Sequence, residues 1–261
     1  MRSLHIAATG MLAQQTNVEV ISNNIANMNT TGFKRRRAEF QDLIYQNLRR
    51  VGSTSSDAGT IVPAGVQLGL GVKTAAVYRI HEQGNLQNTE NRFDLAIRGP
   101  GYFRIELPNG QEAYTRDGTF GLSPEGEIVT ADGFRLLPGV VIPQAARDVT
   151  INANGEVLVK LDGQVAPQNV GQITLAIFAN EAGLEAIGDN LLLETPASGQ
   201  PQVGVPGSPG FGNVLQGFLE TSNVNVVSEI TALITAQRAY EMNSKVITAS
   251  DEMLSTLTRL R

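Results

Sequence analysis

Apolar residues at the start of the chain recur with heptad spacing. Leu4, Ala7, Met11, Val18, Ile21, Ile25 and Met28 fall on one seam, interrupted by Gln14. Near the other end Ile230, Leu233, Tyr240, Ile247 and Leu254 fall on a second. Both patterns predict amphipathic helices with coiled-coil spacing. The first should stop near Asn29, where Asn29-Thr30-Thr31-Gly32 offers a terminating glycine. The second should begin at Asn223 or Asn225, either of which can cap it, and run to Arg259.

The polar side of the first helix is unusual. From Ser3 to Asn29 its one formal charge is Glu19; the remainder is Gln, Asn, Thr, Ser and Ala. A helix face in open water normally carries Glu and Lys. Amides and small residues suit a face that is covered yet must hydrogen-bond. An ordinary two-helix pair in a monomer would account for it, but cover by neighbouring subunits accounts for it better.

Residues 38–50 continue a helical pattern through Phe40, Leu43, Ile44 and Leu48, and Val51–Gly71 reads as a long extended loop rich in Gly, Ser, Thr and Pro. From Val72 the period changes to that of strands, expected at Val72–Ile80, Asp94–Ile97, Tyr102–Leu107 and Ile173–Phe178. Turn pairs then follow at regular intervals: Asn109-Gly110, Asp117-Gly118, Glu125-Gly126, Asp132-Gly133, Asn154-Gly155 and Asp162-Gly163. Such pairs predict hairpins. Residues 195–213 read as loop.

The expected fold class is therefore α+β, with long N- and C-terminal helices pairing as a coiled coil around a central, mostly antiparallel β domain and an extended loop. The boundaries this predicts are 1–32 and 224–261 for a terminal helical domain and 33–74 for a connector carrying the loop. They continue with 75–200 for a β-rich outer domain and 201–223 for a return linker.

Charge sharpens this division. Residues 1–50 carry seven Lys/Arg against three Asp/Glu, and 224–261 carry four of each. Of the 20 basic and 25 acidic residues, 9 and 18 are left for the middle. An acidic, turn-rich middle between near-neutral ends suggests an exposed domain on a packed base. The basic run Lys34-Arg35-Arg36-Arg37 lacks interleaved aromatics and reads as a solvated or salt-bridging turn, so no nucleic-acid partner is expected. No apolar run approaches the roughly 20 residues of a membrane span, so no membrane insertion is expected. No signal peptide is visible, because His5, Thr9 and Gln14 break the first apolar stretch.

Candidate chemistry is thin. There is no cysteine, and His5 and His81 are the two histidines. Gly65-Val66-Gln67-Leu68-Gly69-Leu70-Gly71-Val72-Lys73-Thr74 fails as a phosphate loop because Val72 separates glycine from lysine. A hydrolase could use Asp117, Asp132 and Asp162 only if they converged on a cleft, and their turn positions already explain them. No catalytic, cofactor-binding or metal-binding residue is assigned, and no cofactor is expected.

The stretch Ile21-Ser22-Asn23-Asn24-Ile25-Ala26-Asn27, followed by Thr31-Gly32-Phe33-Lys34, resembles the opening signature of bacterial flagellar rod and hook proteins. Glu220-Thr221-Ser222-Asn223-Val224-Asn225-Val226 and Gln237-Arg238-Ala239-Tyr240-Glu241-Met242-Asn243-Ser244-Lys245 resemble the closing one. Gln83-Gly84-Asn85-Leu86, Ala113-Tyr114-Thr115-Arg116-Asp117-Gly118 and Gly183-Leu184-Glu185-Ala186-Ile187-Gly188 extend the likeness over nearly the whole chain. The signature positions carried over are Ser22, Asn23, Asn24, Ala26, Asn27, Gly32, Phe33, Gln237, Arg238, Ala239 and Tyr240.

That resemblance implies an axial structural protein of the flagellar basal body and no enzyme. Its copies would stack into a homo-oligomeric helical tube in the periplasm, exported through the type III export apparatus without a cleavable signal. The terminal helices would line the tube and the β domain would form its wall. Implied neighbours are proximal rod proteins, the hook protein and the surrounding basal-body rings. Length, and the segment at 46–71 that the hook protein lacks, imply the distal branch of the family, with a proximal rod subunit as the alternative. There the segment would brace neighbouring subunits.

Overall fold

The computed structural model describes residues 2–49, 64–161 and 166–259. They form two compact units. One comprises Met1–Ala26, Arg36–Tyr78 and Asn225–Arg261, the other Asn27–Arg35 and Arg79–Val224.

In the first unit α1 (Arg2–Ala26) packs against α2 (Val226–Arg259). The packing is antiparallel. Ser250 Oγ donates to Ser3 Oγ at 3.2 Å. A Cβ added to Gly10 would lie 2.9 Å from Asn243 Nδ2. Asn24 Nδ2 donates to Glu229 Oε2 at 3.1 Å. Ser3, Gly10 and Asn24 are whole heptads apart, as are Ser250, Asn243 and Glu229. Ala236, 2% exposed, occupies the layer between. The helices thus meet through small and polar residues, which let the backbones approach closely. Asn225 caps α2, its Oδ1 accepting from Ser228 N at 3.2 Å.

Helix α1 ends at Ala26, earlier than the glycine at 32 predicts, because the chain turns at once through a Thr30 N to Asn27 O bond. Residues 38–49 are not helical. They give β1 (Arg36–Asp42) and β2 (Tyr45–Arg49), which pair with β4 (Val72–Arg79) and β3 (Val66–Gly69) respectively. In β1 burial alternates from Arg36 to Phe40, the two-residue period of a strand, and this outweighs the helix-like spacing of Phe40, Leu43 and Leu48. Both flanks of the expected loop at 46–71 are therefore paired strands, while residues 50–63 lie outside the described ones.

The second unit is a β structure in which every described ladder is antiparallel. Its chain gives β5 (Leu86–Asn88), β6 (Leu95–Arg98), β7 (Tyr102–Glu106), β8 (Glu112–Thr115), β9 (Phe120–Leu122), β10 (Ile128–Thr130) and β11 (Arg135–Leu136). There follow β12 (Ala146–Ile151), β13 (Glu156–Leu161), β14 (Gln168–Gln172), β15 (Leu175–Ile177), β16 (Glu185–Gly188) and β17 (Leu191–Leu193). Then come β18 (Gln202–Gly204), β19 (Asn213–Gln216) and β20 (Phe218–Glu220).

The largest sheet has the order β16-β17-β8-β7-β11-β10-β9, with β15 joining β7 and β18 joining β15. A three-stranded sheet β12-β13-β14 and the pairs β6-β19 and β5-β20 complete the unit. Its main core is built from residues such as Leu95, Phe103, Ile105, Val157, Val159, Ile173 and Leu175, each wholly buried, and a smaller cluster gathers Tyr102, Tyr114, Ala176, Phe178 and Leu184. Each such side chain contributes about 1.5–3 kcal/mol by leaving water. Phe103 and Phe120 meet edge to face at 5.1 Å.

Asn109-Gly110, Glu125-Gly126, Asp132-Gly133 and Asn154-Gly155 do turn hairpins, each glycine at positive φ. Asp117-Gly118 does not. Strands β8 and β9 pair with other partners, and Gly118 instead lies where a Cβ would fall 1.5 Å from Leu95 O. Asp162-Gly163 lies outside the described residues. The stretch 195–213, read as loop, contains β18, and the segment that follows supplies β19 and β20.

Candidate functional site

Two constellations stand out, one in each unit. In the helical unit the predicted seams are met unevenly. Ile21 is buried, Leu4, Met11, Val18 and Ile25 are half-buried on α1, and Leu233, Ile247 and Leu254 are half-buried on α2. Ile230 and Tyr240 point away from the pairing, each 45% exposed. Met28 lies past the end of α1, in the second unit, and is exposed. The residues that α2 buries most are Glu229, Ala236 and Ser250, which a search for apolar positions passes over.

Among the signature positions Asn24 is the one the chain itself buries, at 1% exposure. Its Oδ1 accepts from Arg36 N at 2.8 Å and its Nδ2 donates to Arg36 O at 2.9 Å as well as to Glu229. One amide thereby fixes α1, the start of β1 and the first turn of α2. Ser22, Asn23, Ala26, Gln237, Arg238 and Tyr240 are exposed; Asn27, Gly32, Phe33 and Ala239 are half-buried. Apolar side chains also remain outside the helix pair, among them Leu12, Val227, Ile234, Met242 and Met253.

In the β unit a knot of charge is buried around Glu220, whose side chain is wholly enclosed. Its Oε1 accepts from Lys34 Nζ and from Gly84 N at 2.9 Å, and its Oε2 from Arg116 Nε and Nη2 at 3.0 and 2.8 Å. The remaining Arg116 donors reach Gly99 O, Gly101 O and Ile97 O. Lys34 Nζ also donates to Glu82 O at 2.8 Å. Asn223 binds the same segments, accepting from Arg35 N at 2.7 Å and donating to Ile80 O and Glu82 O. Of the basic run, Lys34 is thus buried, Arg35 lies 3.6 Å from Glu82, and Arg37 is exposed. Burial pushes the Lys34 pKa down, against the pull of Glu220.

Beside the knot lies a cavity of about 240 Å³ lined by Lys34, His81, Gln83, Gly99, Pro100, Tyr102, Arg116 and Glu181. His81 Nδ1 is 2.8 Å from Tyr102 Oη and 3.2 Å from Glu181 Oε2, while its buried Nε2 meets no partner among the described residues. Burial, then the nearby Arg79, Lys34 and Arg116 cations, lower its pKa to about 4, so the imidazole is neutral at neutral pH. Burial raises the Tyr102 pKa well above the usual phenol range. Around this cavity Lys34 and Arg116 face the carboxylate of Glu220, while the uncharged His81 and Tyr102 share a hydrogen bond.

Asp117 and Asp132 do reach one cavity, together with Asp189, but its volume is about 40 Å³, too small for a sugar ring. Asp117 is held there by Thr119 and Asn190. Among the described residues no three His, Asp or Glu side chains converge as metal ligands. No described helix is long and apolar enough to cross a membrane.

Lys34, Arg116 and Glu220 all sit inside strings that the family resemblance singles out. Their convergence was not visible there, because Lys34 and Glu220 are 186 residues apart and no periodicity links them.

Terminal helices joined through polar layers, apolar residues left on their outside and a β unit braced by buried ion pairs are features of a structural protein. Three family models match: flagella basal body rod protein over residues 4–34, flagellar hook protein FlgE/F/G D1 domain over 96–159, and flagellar basal body rod FlgEFG protein C-terminal over 215–260. The chain is 63% identical to the flagellar basal-body rod protein FlgG of Caulobacter vibrioides, covering 100% of both chains. It is 55% identical to that of Agrobacterium fabrum over 99% of each, and 41% identical to that of Bacillus subtilis over 100% of this chain and 99% of the relative. The chain belongs to the FlgG family of flagellar basal-body rod proteins.

Proposed function

We propose that the chain is a subunit of the distal rod, stacking helically with its own copies into a hollow tube that transmits torque to the hook and leaves an export channel. On this reading 1–32 and 224–261 form the inner tube, α1 and α2 wind as a coiled coil, and 75–200 forms the outer wall, with 33–74 and 201–223 joining them. The described strands at 45–49 and 66–69 would begin the brace between neighbours. The neighbours would be proximal rod proteins, the hook protein and the basal-body rings. Location in the periplasmic rod, reached by the type III export apparatus without a cleavable signal, follows from the same reading. It does not require catalysis.

The observation that carries this reading is the distribution of polarity on the two helices. Val20 and Ile21 are buried, and Ser, Gly, Asn and Ala fill the layers between the helices, while Leu12, Val227, Met242 and Met253 stay more than 60% exposed. Apolar area of that kind, stabilising by about 25 cal/mol per Å² when covered, is available to other subunits.

The test is electron microscopy of the concentrated full-length chain beside Leu233→Asp, with motility of cells carrying each. The wild-type chain is expected to form tubes and support motility. The variant should form none and leave cells non-motile while the β unit keeps its circular dichroism. A motile strain carrying Leu233→Asp would count decisively against the reading.

A further inference from the structure

Helix α2 meets α1 along one seam, where Glu229, Ala236 and Ser250 are buried at whole-heptad intervals. The flanks on either side of that seam are exposed, and apolar residues occupy them unequally. In the N-terminal half Val227, Ile230 and Ile234 lie on one flank; in the C-terminal half Val246, Ala249 and Met253 lie on the other. All six are exposed.

The two patches share one spacing, a step of three residues and then a step of four. A shift of 19 residues lays Val227 against Val246, Ile230 against Ala249 and Ile234 against Met253. The match continues beyond the patches. Gln237 falls opposite Thr256, and Glu241 falls one residue from Arg259. Glu241 and Arg259 are both exposed, and neither has an ion-pair partner among the described residues. A shift of 12 residues keeps the spacing but lays the carboxylate of Glu241 on Met253. Polarity therefore selects the longer shift.

One α2 cannot bring its own two flanks together, because they lie on opposite sides of a single rod. We propose that the Val227–Ile230–Ile234 flank of one copy packs on the Val246–Ala249–Met253 flank of a second copy of this chain, the two α2 helices running parallel and offset by about 28 Å. Glu241 of one copy then closes on Arg259 of the other. Copies that share a direction along a tube present their α2 helices parallel, and each α1 keeps its own antiparallel seam. The two flanks are different surfaces, so the contact is head-to-tail and leaves one of each free at the ends, the condition for an open helical filament. The inference rests on the tubular reading above and gives it a surface and a register.

The absence of cysteine makes the test clean. Full-length Ile234→Cys and Met253→Cys chains are mixed at assembly concentration, oxidised and imaged, beside a mixture of Ile234→Cys and Met242→Cys. Met242 is exposed on the same flank as Met253 but about 16 Å further back along the helix, beyond the reach of a disulfide. The first mixture is expected to crosslink about tenfold more than the second. Glu241→Arg and Arg259→Glu should each raise the concentration needed for assembly about threefold, the effect of one exposed ion pair, and the double exchange should restore it with monomer melting unchanged. Tubes in which the two mixtures crosslink equally, or a double exchange no better than its worse parent, would overturn the pairing and leave the tubular reading standing. Neither tubes nor crosslink would overturn both.

Discussion

Replacing Glu220 by Gln tests whether the β unit depends on its buried charge. The substitution keeps the shape of the side chain and one acceptor for Gly84 N, but removes the charge that faces Lys34 and Arg116. Both cations remain enclosed, at 7% and 8% exposure. Removing one partner of a buried pair costs about 3–5 kcal/mol, because the ion left behind cannot recover its hydration. Here Arg116 keeps its bonds to Gly99 O and Gly101 O, which places the expected loss near the lower bound, about 3 kcal/mol. For a unit of this size that lowers the melting temperature by roughly 6–12 °C.

The assay is thermal and urea unfolding of the full-length chain, followed by far-ultraviolet circular dichroism. Lys34→Met is made as well, alone and with Glu220→Gln. Because the two residues share one ion pair, the double variant should lose less than the two single losses added together. A loss below about 1 kcal/mol for Glu220→Gln, or strict additivity with Lys34→Met, would refute the argument that the knot is electrostatically coupled.

Two further outcomes follow from the same unit. Gly118→Ala should prevent its folding, seen as loss of soluble protein and of β-sheet dichroism, since the added Cβ would fall 1.5 Å from a backbone oxygen that has no room to move. His81 should make stability depend on pH. Its folded pKa lies near 4, below the ordinary 6.5, so between those values the unfolded chain holds more protons. Its contribution is therefore complete above pH 6.5 and is lost as pH falls towards 4. The full shift corresponds to about 3 kcal/mol, reduced to about 2 by the partial exposure of the ring. His81→Gln, which cannot titrate, should flatten the unfolding free energy across that window, and an unchanged slope would refute the assignment.

What the sequence made legible follows the range of the signal. Heptad spacing located both helices, and Asn225 was available as a cap because the capping bond spans three residues. Asn-Gly, Asp-Gly and Glu-Gly pairs located four hairpins for the same reason. Asp117-Gly118 misled because the dipeptide records that glycine is needed without saying why, and here the need is a close approach to Leu95. Residues 38–50 misled because a short amphipathic stretch fits either period until its pairing partner, β4 or β3, is known. The charge knot joins residues from three distant segments. Ile230 and Tyr240, on the second predicted seam, lie on the outer side of the pair, because heptad spacing does not say whether a seam meets the chain's own helix or another copy.

That last displacement carries the argument about assembly. A helix pair meant to be stable alone would place its largest apolar side chains between the helices. In this chain Val20 and Ile21 are the large apolar side chains that α1 buries, and layers of Ser3, Gly10 and Asn24 meet Ser250, Asn243 and Glu229. Such layers fix register and direction through directional bonds, each worth only about 1 kcal/mol net. The larger apolar reserve lies on the outer faces, at Leu12, Val227, Ile230, Ile234 and Met253. Polar layers inside therefore determine how the two ends of one chain meet, and apolar stripes outside determine what that pair does next. Exchanging the two sets would strengthen the isolated pair and remove the surfaces by which it could join another copy.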